Sequence, residues 1–440
     1  MNRLLKTTSL LALVSAPFCA NAQSPTDFSN FSPRLKLQSR YSLYDTYRNN
    51  ESDLITNTAR FGLNYRYKNV MGVLEVQAGS PSDAYTQSSK ANTTTGGTTS
   101  NGSQNLFQVR RAYIGLDLVA MEPATVSLMI GRYRFLASQV YAPDAITQIL
   151  ATNLDNVSSS TSSDGLIVKY VGKFDFGKVS AEYGVVNNIA VAKYATGSGW
   201  FTNTSIVAGD NSFSAAPKTQ SRGMQGVLTG DINVGDGIVE ARFGYGMQNG
   251  AVTSVTANTY VNQDVTNLEA SVGYNYMQGQ IRGGVWYQAV TLAKAQSGAI
   301  VGVNNVPVYT TATSPTADQD SQNISTIGVG VTGNSKLFGI TGLLADGDAF
   351  TYGIGYQNVN GQEASGGGTV SGLATGVTAF SNQSLQISQY NVGLGYNQGV
   401  FNLELNYAMS TANYEIYTDN SGVQNQKSAS LVYLVGTISL

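Results

Sequence analysis

Between Ala59 and Lys68 the chain alternates without a break. Ala59, Phe61, Leu63, Tyr65 and Tyr67 are apolar or aromatic, whereas Arg60, Gly62, Asn64, Arg66 and Lys68 are polar, small or basic. Side chains of an extended strand point to opposite faces in turn, so a period of two means one face in an apolar medium and one in water. The same alternation recurs to the last residue, with polar connections between. Behind an export signal, this predicts an all-β fold, a transmembrane antiparallel β-barrel with a wet interior.

Residues 1–22 read as that signal. Arg3 and Lys6 supply the positive start, Leu10 to Ala16 a short and mostly apolar stretch, and Ala20-Asn21-Ala22 a cleavage site before Gln23. The apolar stretch is too short for a spanning helix, which takes about 20 residues. No run of about 18 apolar residues follows it, so helical spans are excluded. Cys19, the single cysteine, lies inside the signal, and bulky Phe18 before it does not suit lipidation. The exported chain then has no thiol for a disulfide, a zinc–thiolate site or a nucleophile. Histidine is absent, which removes the commonest general base and every triad built on imidazole. Phospholipase and protease barrels, which depend on histidine, fit poorly. The chain reads as a non-enzyme with no catalytic residue, cofactor or metal site.

With 25 basic against 27 acidic residues and a formal net charge of −2, it is no nucleic-acid binder by composition. Charged residues make up 12% of the chain, about half the globular average, while Gly (48) and Tyr (26) abound. That balance favours a barrel over a soluble sandwich of alternating strands.

Residues 23–33 read as a lead-in and 34–440 as one closed barrel, so 23–440 form a single domain. The first seven strands are predicted near 34–47, 55–68, 70–78, 106–119, 125–135, 165–174 and 178–187. Short turns fall at Asn69, Met121-Glu122-Pro123, Asp175-Phe176-Gly177, Asn233 to Gly237, Gln278-Gly279 and Asn397-Gln398-Gly399. Long polar connections fall at 79–105, 136–164, 188–221, 249–264, 292–323, 359–384 and 411–427. Short periplasmic turns alternating with long extracellular loops are the rhythm of outer-membrane barrels. Sixteen strands are expected if Ile324–Ala345 is one strand broken at Gly333. Eighteen is the alternative, if that stretch is a hairpin and Val370–Ala379 a further strand. Tyr65, Tyr67, Tyr274, Tyr276 and Tyr396 sit beside short turns on outward faces, where an interfacial aromatic girdle belongs.

From Val109-Arg110-Arg111-Ala112-Tyr113-Ile114-Gly115-Leu116 to Ala124-Thr125-Val126-Ser127-Leu128-Met129-Ile130-Gly131-Arg132, the chain resembles the general porins of Gram-negative bacteria. That family carries an arginine–aromatic–glycine strand, then a strand ending in Gly-Arg just before its third loop. Val432, Leu434, Gly436, Ile438 and Leu440 alternate to the end, as in the family's barrel-insertion signal, although the family usually ends in phenylalanine. The resemblance implies a 16-stranded, usually trimeric diffusion channel of the outer membrane whose third loop folds inward. Its partners would be membrane lipid, lipopolysaccharide, and the small hydrophilic solutes and ions that pass.

Such a pore needs a water-filled constriction with a defined field, because narrow low-dielectric walls magnify a few charges. Nine of the twelve arginines after residue 22 precede residue 135. By strand phase Arg34, Lys36, Arg40, Arg60, Arg66, Lys68 and Arg111 form a basic wall. Arg132 and Arg134 join it where the third loop begins, given a bulge near Gly131 to bring them inward. Within the loop, Pro143 to Leu150 is a candidate short helix, and Asp144 and Asp155 are the candidate acids facing that wall. The expected selectivity is a mild anion preference. Two rival readings are a substrate-specific channel, for which Trp286, Tyr44 and Tyr113 are inward aromatics, and a barrel-type surface receptor or adhesin. Gly328 to Gly333 matches a dinucleotide fingerprint only in letters, since no helix follows, and Asp346-Gly347-Asp348 reads as a hairpin turn rather than a calcium loop. Glu240 and Glu269 read as solvated wall charges.

Overall fold

The structure, a computed structural model, describes residues 28–45, 55–79, 107–136, 138–143, 163–187, 189, 222–255, 259–293, 296–303, 306–309, 314–315, 322–340, 348–363, 384–413, 417–418 and 424–440. The signal and its cleavage point lie outside them. The barrel begins with β1 (Phe31–Asp45), β2 (Ile55–Tyr67), β3 (Val70–Gly79), β4 (Phe107–Met121), β5 (Ala124–Tyr133) and β6 (Ser163–Phe174). Next come β7 (Gly177–Val186), β8 (Gly223–Val234), β9 (Gly237–Val255), β10 (Thr259–Tyr276) and β11 (Ile281–Leu292). It ends with β12 (Gln322–Asn334), β13 (Ala349–Glu363), β14 (Ser384–Gln398), β15 (Phe401–Ala412) and β16 (Ser428–Ser439). Each strand pairs antiparallel with its chain neighbours. The ring closes where β16 pairs with β1, from Lys36 opposite Ser439 to Asp45 opposite Leu431.

The chain is thus a closed 16-stranded transmembrane β-barrel. The count is sixteen although Ile324–Ala345 is not the single strand expected. The 18-strand alternative fails because β12 pairs directly with β13 and β13 with β14, leaving no place between them for further barrel strands. Val370–Ala379 itself lies outside the described residues. The break comes at Asn334. There the strand ends, the Asn334 side chain accepts from the Lys336 amide at 3.1 Å, and Ser335–Phe338 turn into a 3-10 helix. The connection expected at 249–264 is mostly strand, since β9 and β10 run on as a long hairpin. Short strands at Gln296–Val303, Val306–Tyr309 and Ser314–Pro315 occupy much of 292–323. Tight turns at the opposite rim need positive φ, which glycine supplies: Gly235 at 58° and Gly399 at 57°.

Large apolar side chains populate the outer face. Ile114 is 66% exposed and Ile354 and Leu394 are each 60% exposed, a surface that water would penalise and acyl chains do not. Aromatics gather at the short-turn rim, with ring centroids 4.9 Å apart for Phe31 and Tyr65, 5.3 Å for Phe350 and Tyr396, and 6.3 Å for Tyr274 and Tyr276. The Tyr274 hydroxyl donates to the Val234 carbonyl at 3.1 Å, turning its polar end toward the rim.

The two faces differ in what they tolerate. Ile354→Arg, on the outer face, should lower unfolding free energy in lipid vesicles by about 2–4 kcal/mol. Thr351→Arg, which points into an inner cavity, should change it far less; denaturant titration of the refolded barrel compares the two.

Candidate functional site

Alternation carries the even residues of β1 and β2 to the inner face. Lys36 and Gln38 line an inner cavity, and Arg34 lies on the same phase of β1, across the register from Gly62. Arg60 stands opposite Gln77 of β3 and donates from Nε to its Oε1 at 2.9 Å. Arg66, on the same phase lower on β2, is ion-paired to Asp117 of β4. Asp117 is buried and also accepts from the Ser127 hydroxyl at 2.7 Å, so Arg66 is neutralised locally. The side chain of Arg40 lies outside the described residues, as do Asp144 and Asp155.

A β-bulge builds the centre of the basic wall. In the β3–β4 register Glu75 faces Arg111 and Val76 faces Val109, which leaves Arg110 as the extra residue. Strict alternation sends only one of two neighbours inward; the inserted residue lets both reach the inner face. Arg110 is 8% exposed and donates from Nη1 to Gln77 Oε1 at 2.8 Å. Glu75 lies between the two arginines, with Oε1 at 3.6 Å from Arg110 Nε and Oε2 at 3.7 Å from Arg111 Nε. Arg60, Arg111 and Arg134 are the like charges acting on Arg110. Phase reasoning selects Arg111 and misses Arg110. The Arg110-Arg111 doublet inside a strand was the signal available.

Two residues expected on this wall are elsewhere. The bulge that Arg132 requires is absent: Gly131 pairs with Tyr113 and Arg132 with Ala112 in unbroken register. Arg132 therefore shares the outward phase of Leu128 and Ile130. It holds Asp164 of β6 through Nε and Nη2, both at 3.0 Å. Lys68 leaves β2 at a φ of 50°, in the turn, and its Nζ lies 5.2 Å from the centroid of Tyr67 at the rim.

The chain after β5 re-enters the barrel and crosses the wall opposite the arginines. Phe135 is fully buried against Tyr133, ring centroids 5.1 Å apart. Ser138 Oγ donates to Glu269 Oε2 at 2.8 Å, and the Gln139 amide donates to Ser271 Oγ at 3.0 Å, both on β10. Farther on, Asn391 of β14 donates from Nδ2 to the Pro143 carbonyl at 2.7 Å. Residues 138–143 thus span the inner face from β10 to β14. Pro143 ends the described part in non-helical backbone.

Glycines make the groove that receives this segment. A Cβ on Gly273 or Gly284 would fall 2.2 or 2.6 Å from the Tyr141 ring, and one on Gly330 2.4 Å from the Tyr141 carbonyl. Gly353 and Gly355 leave matching room for Pro143 and Ala142. Tyr141 packs against Trp286, which is 2% exposed, and Arg282 lies 5.2 Å from the Tyr141 ring centroid. Burial pushes the Tyr141 hydroxyl pKa up; Glu240 adds to this and Arg282 opposes it.

The wall acids are therefore not simply solvated. Glu269 is 0% exposed and also accepts from Asn267 Nδ2 at 2.7 Å, as a buried carboxylate requires. Glu240 accepts from Arg282 at 2.7 Å. A cavity of about 640 Å³ is lined both by Ala142 and Pro143 and by the turn glycines Gly279 and Gly399, so it reaches from the segment to the short-turn rim.

No protein-family model and no curated protein matches the chain. Among solved structures it is similar to OmpT, an outer membrane protein of Vibrio cholerae, at 15% identity and a TM-score of 0.47, covering 93% of this chain and 97% of that one. It is similar to the outer membrane channel DcaP of Acinetobacter baumannii at 13% and 0.43, covering 93% and 96%. The anion-selective porin from Comamonas acidovorans follows at 12% and 0.44, covering 93% and 99%.

Trp286 reports on the inserted segment. With Trp200 replaced by Phe it is the single tryptophan, so Tyr141→Ala should move its emission to the red by uncovering it. The lost ring should weaken the packing by roughly 3–5 kcal/mol. An unmoved emission maximum would show that Tyr141 does not cover Trp286.

Proposed function

We propose that this chain is a non-enzymatic outer-membrane porin through which small hydrophilic solutes and ions diffuse passively. The observation that carries this reading is the segment 138–143, fixed by hydrogen bonds to β10 and β14 across from the arginines of β2 and β4. A chain laid across the inside of a closed tube narrows it, and a narrowed tube with charge on one side has a field across its passage. Asp144 and Asp155, following Pro143 in sequence, are the acids proposed to complete that field. The chain is proposed to be exported with cleavage after Ala22 to a Gram-negative outer membrane, in contact with lipid and lipopolysaccharide, and to assemble as a homotrimer.

A sugar-type slide finds little support in the inward aromatics. Trp286 is covered by Tyr141, and Tyr113 packs edge-on against Tyr133 at 5.2 Å. The arginine cluster instead supports a mild preference for anions.

Purified mature protein in a planar bilayer should give discrete conductance steps, with a reversal potential in a salt gradient displaced toward the anion. One unit charge about 8 Å from the ion path alters local ion concentration roughly twofold. Arg60→Gln with Arg111→Gln should therefore lower the anion-to-cation permeability ratio severalfold while steps persist. Absence of steps from folded barrels would reject the pore.

A further inference from the structure

We infer that Glu75, an acid set within the basic wall, controls how strongly the pore prefers anions. This rests on the pore reading above and adds a residue that tunes it. Glu75 is on the inner phase of β3, directly across the register from Arg111. Its two oxygens face two different arginines, at 3.6 and 3.7 Å. Those separations exceed the 2.7 Å of Arg282–Glu240 and the 3.0 Å of Arg132–Asp164. The carboxylate balances the guanidiniums without being locked to either in a short hydrogen bond. Its side chain keeps 21% exposure, so its charge is not sealed from the lumen.

The next inner position of β3 sharpens the argument. Gln77 has almost the shape of Glu75 but no charge, and its Oε1 accepts from both Arg60 Nε and Arg110 Nη1. Two adjacent inner side chains of one strand, one charged and one neutral, thus share Arg110, with Glu75 also facing Arg111 and Gln77 also bound by Arg60. Electrostatics on the lumen depends on the charge, whereas the hydrogen bonds to the guanidiniums need only an oxygen acceptor, which Gln and Glu both supply.

The test moves the charge between these positions and reads the reversal potential of the full barrel in a potassium chloride gradient. Glu75→Gln should raise the anion-to-cation permeability ratio about twofold to fivefold at low salt, and less in 1 M salt where screening is short-ranged. Gln77→Glu should lower it by a similar factor, and the double exchange should return it near the starting value. Folding is followed separately by the mobility difference between heated and unheated barrels, so either variant alone suffices if the other does not fold. A conducting parent pore whose ratio ignores both substitutions would overturn the role of Glu75 and leave the pore reading standing. A folded parent barrel that does not conduct would overturn both.

Discussion

Backbone polar groups in a lipid-facing strand have no water to turn to, and each one left unmet costs several kcal/mol. The rest of this structure follows from that constraint. β16 must meet β1, and it does so over most of both strands. Once the ring is closed, every strand is held on both sides, and the facing of each side chain is decided by its position in the ladder. The wet interior and the apolar exterior are two readings of one hydrogen-bond register.

That rigidity gives a single inserted residue unusual leverage. The extra residue opposite Glu75 and Val76 does not disturb closure, since the flanking pairs from Val70–Leu116 to Ala78–Phe107 are kept. What it changes is local: two consecutive arginines come to one face, with Glu75 facing both and Gln77 bound by Arg110. A charge cluster that alternation forbids is obtained at the expense of one unpaired position.

Most of the barrel was legible in the sequence because strand period and turn chemistry are local. The predicted limits of the first seven strands agree with the observed ones within about three residues, and the tyrosines beside short turns lie at one rim. The site was less legible, and the failures have distinct causes. Arg132 faces inward only if Gly131 marks a bulge. Gly131 instead adopts a φ of 128° where a Cβ would lie 2.3 Å from the Ala112 carbonyl, so it serves close backbone approach within an unbroken register. Lys68 follows the alternation in sequence but stands one residue beyond the strand. The glycine groove was in plain view at Gly273, Gly284, Gly330, Gly353 and Gly355, yet its meaning depends on a segment more than a hundred residues away. Period alone does not say which loop lies on which wall.

The two halves of the inner face are built from different physics. Segment 138–143 is held by burial of Tyr141, by the fit of Ala142 and Pro143 against glycines, and by hydrogen bonds from Ser138, Gln139 and Asn391. A fully buried aromatic side chain contributes roughly 1.5–3 kcal/mol by area alone, whereas a charge pair across wet lumen contributes about 1 kcal/mol or less. None of those described contacts involves Arg60, Arg110 or Arg111. Among the described residues the segment is thus held by contacts separate from the arginine wall. On the proposed pore reading, width and charge preference are separable in such an arrangement: the glycine-lined side would set the first, and the bulged side, with Glu75 between its arginines, the second.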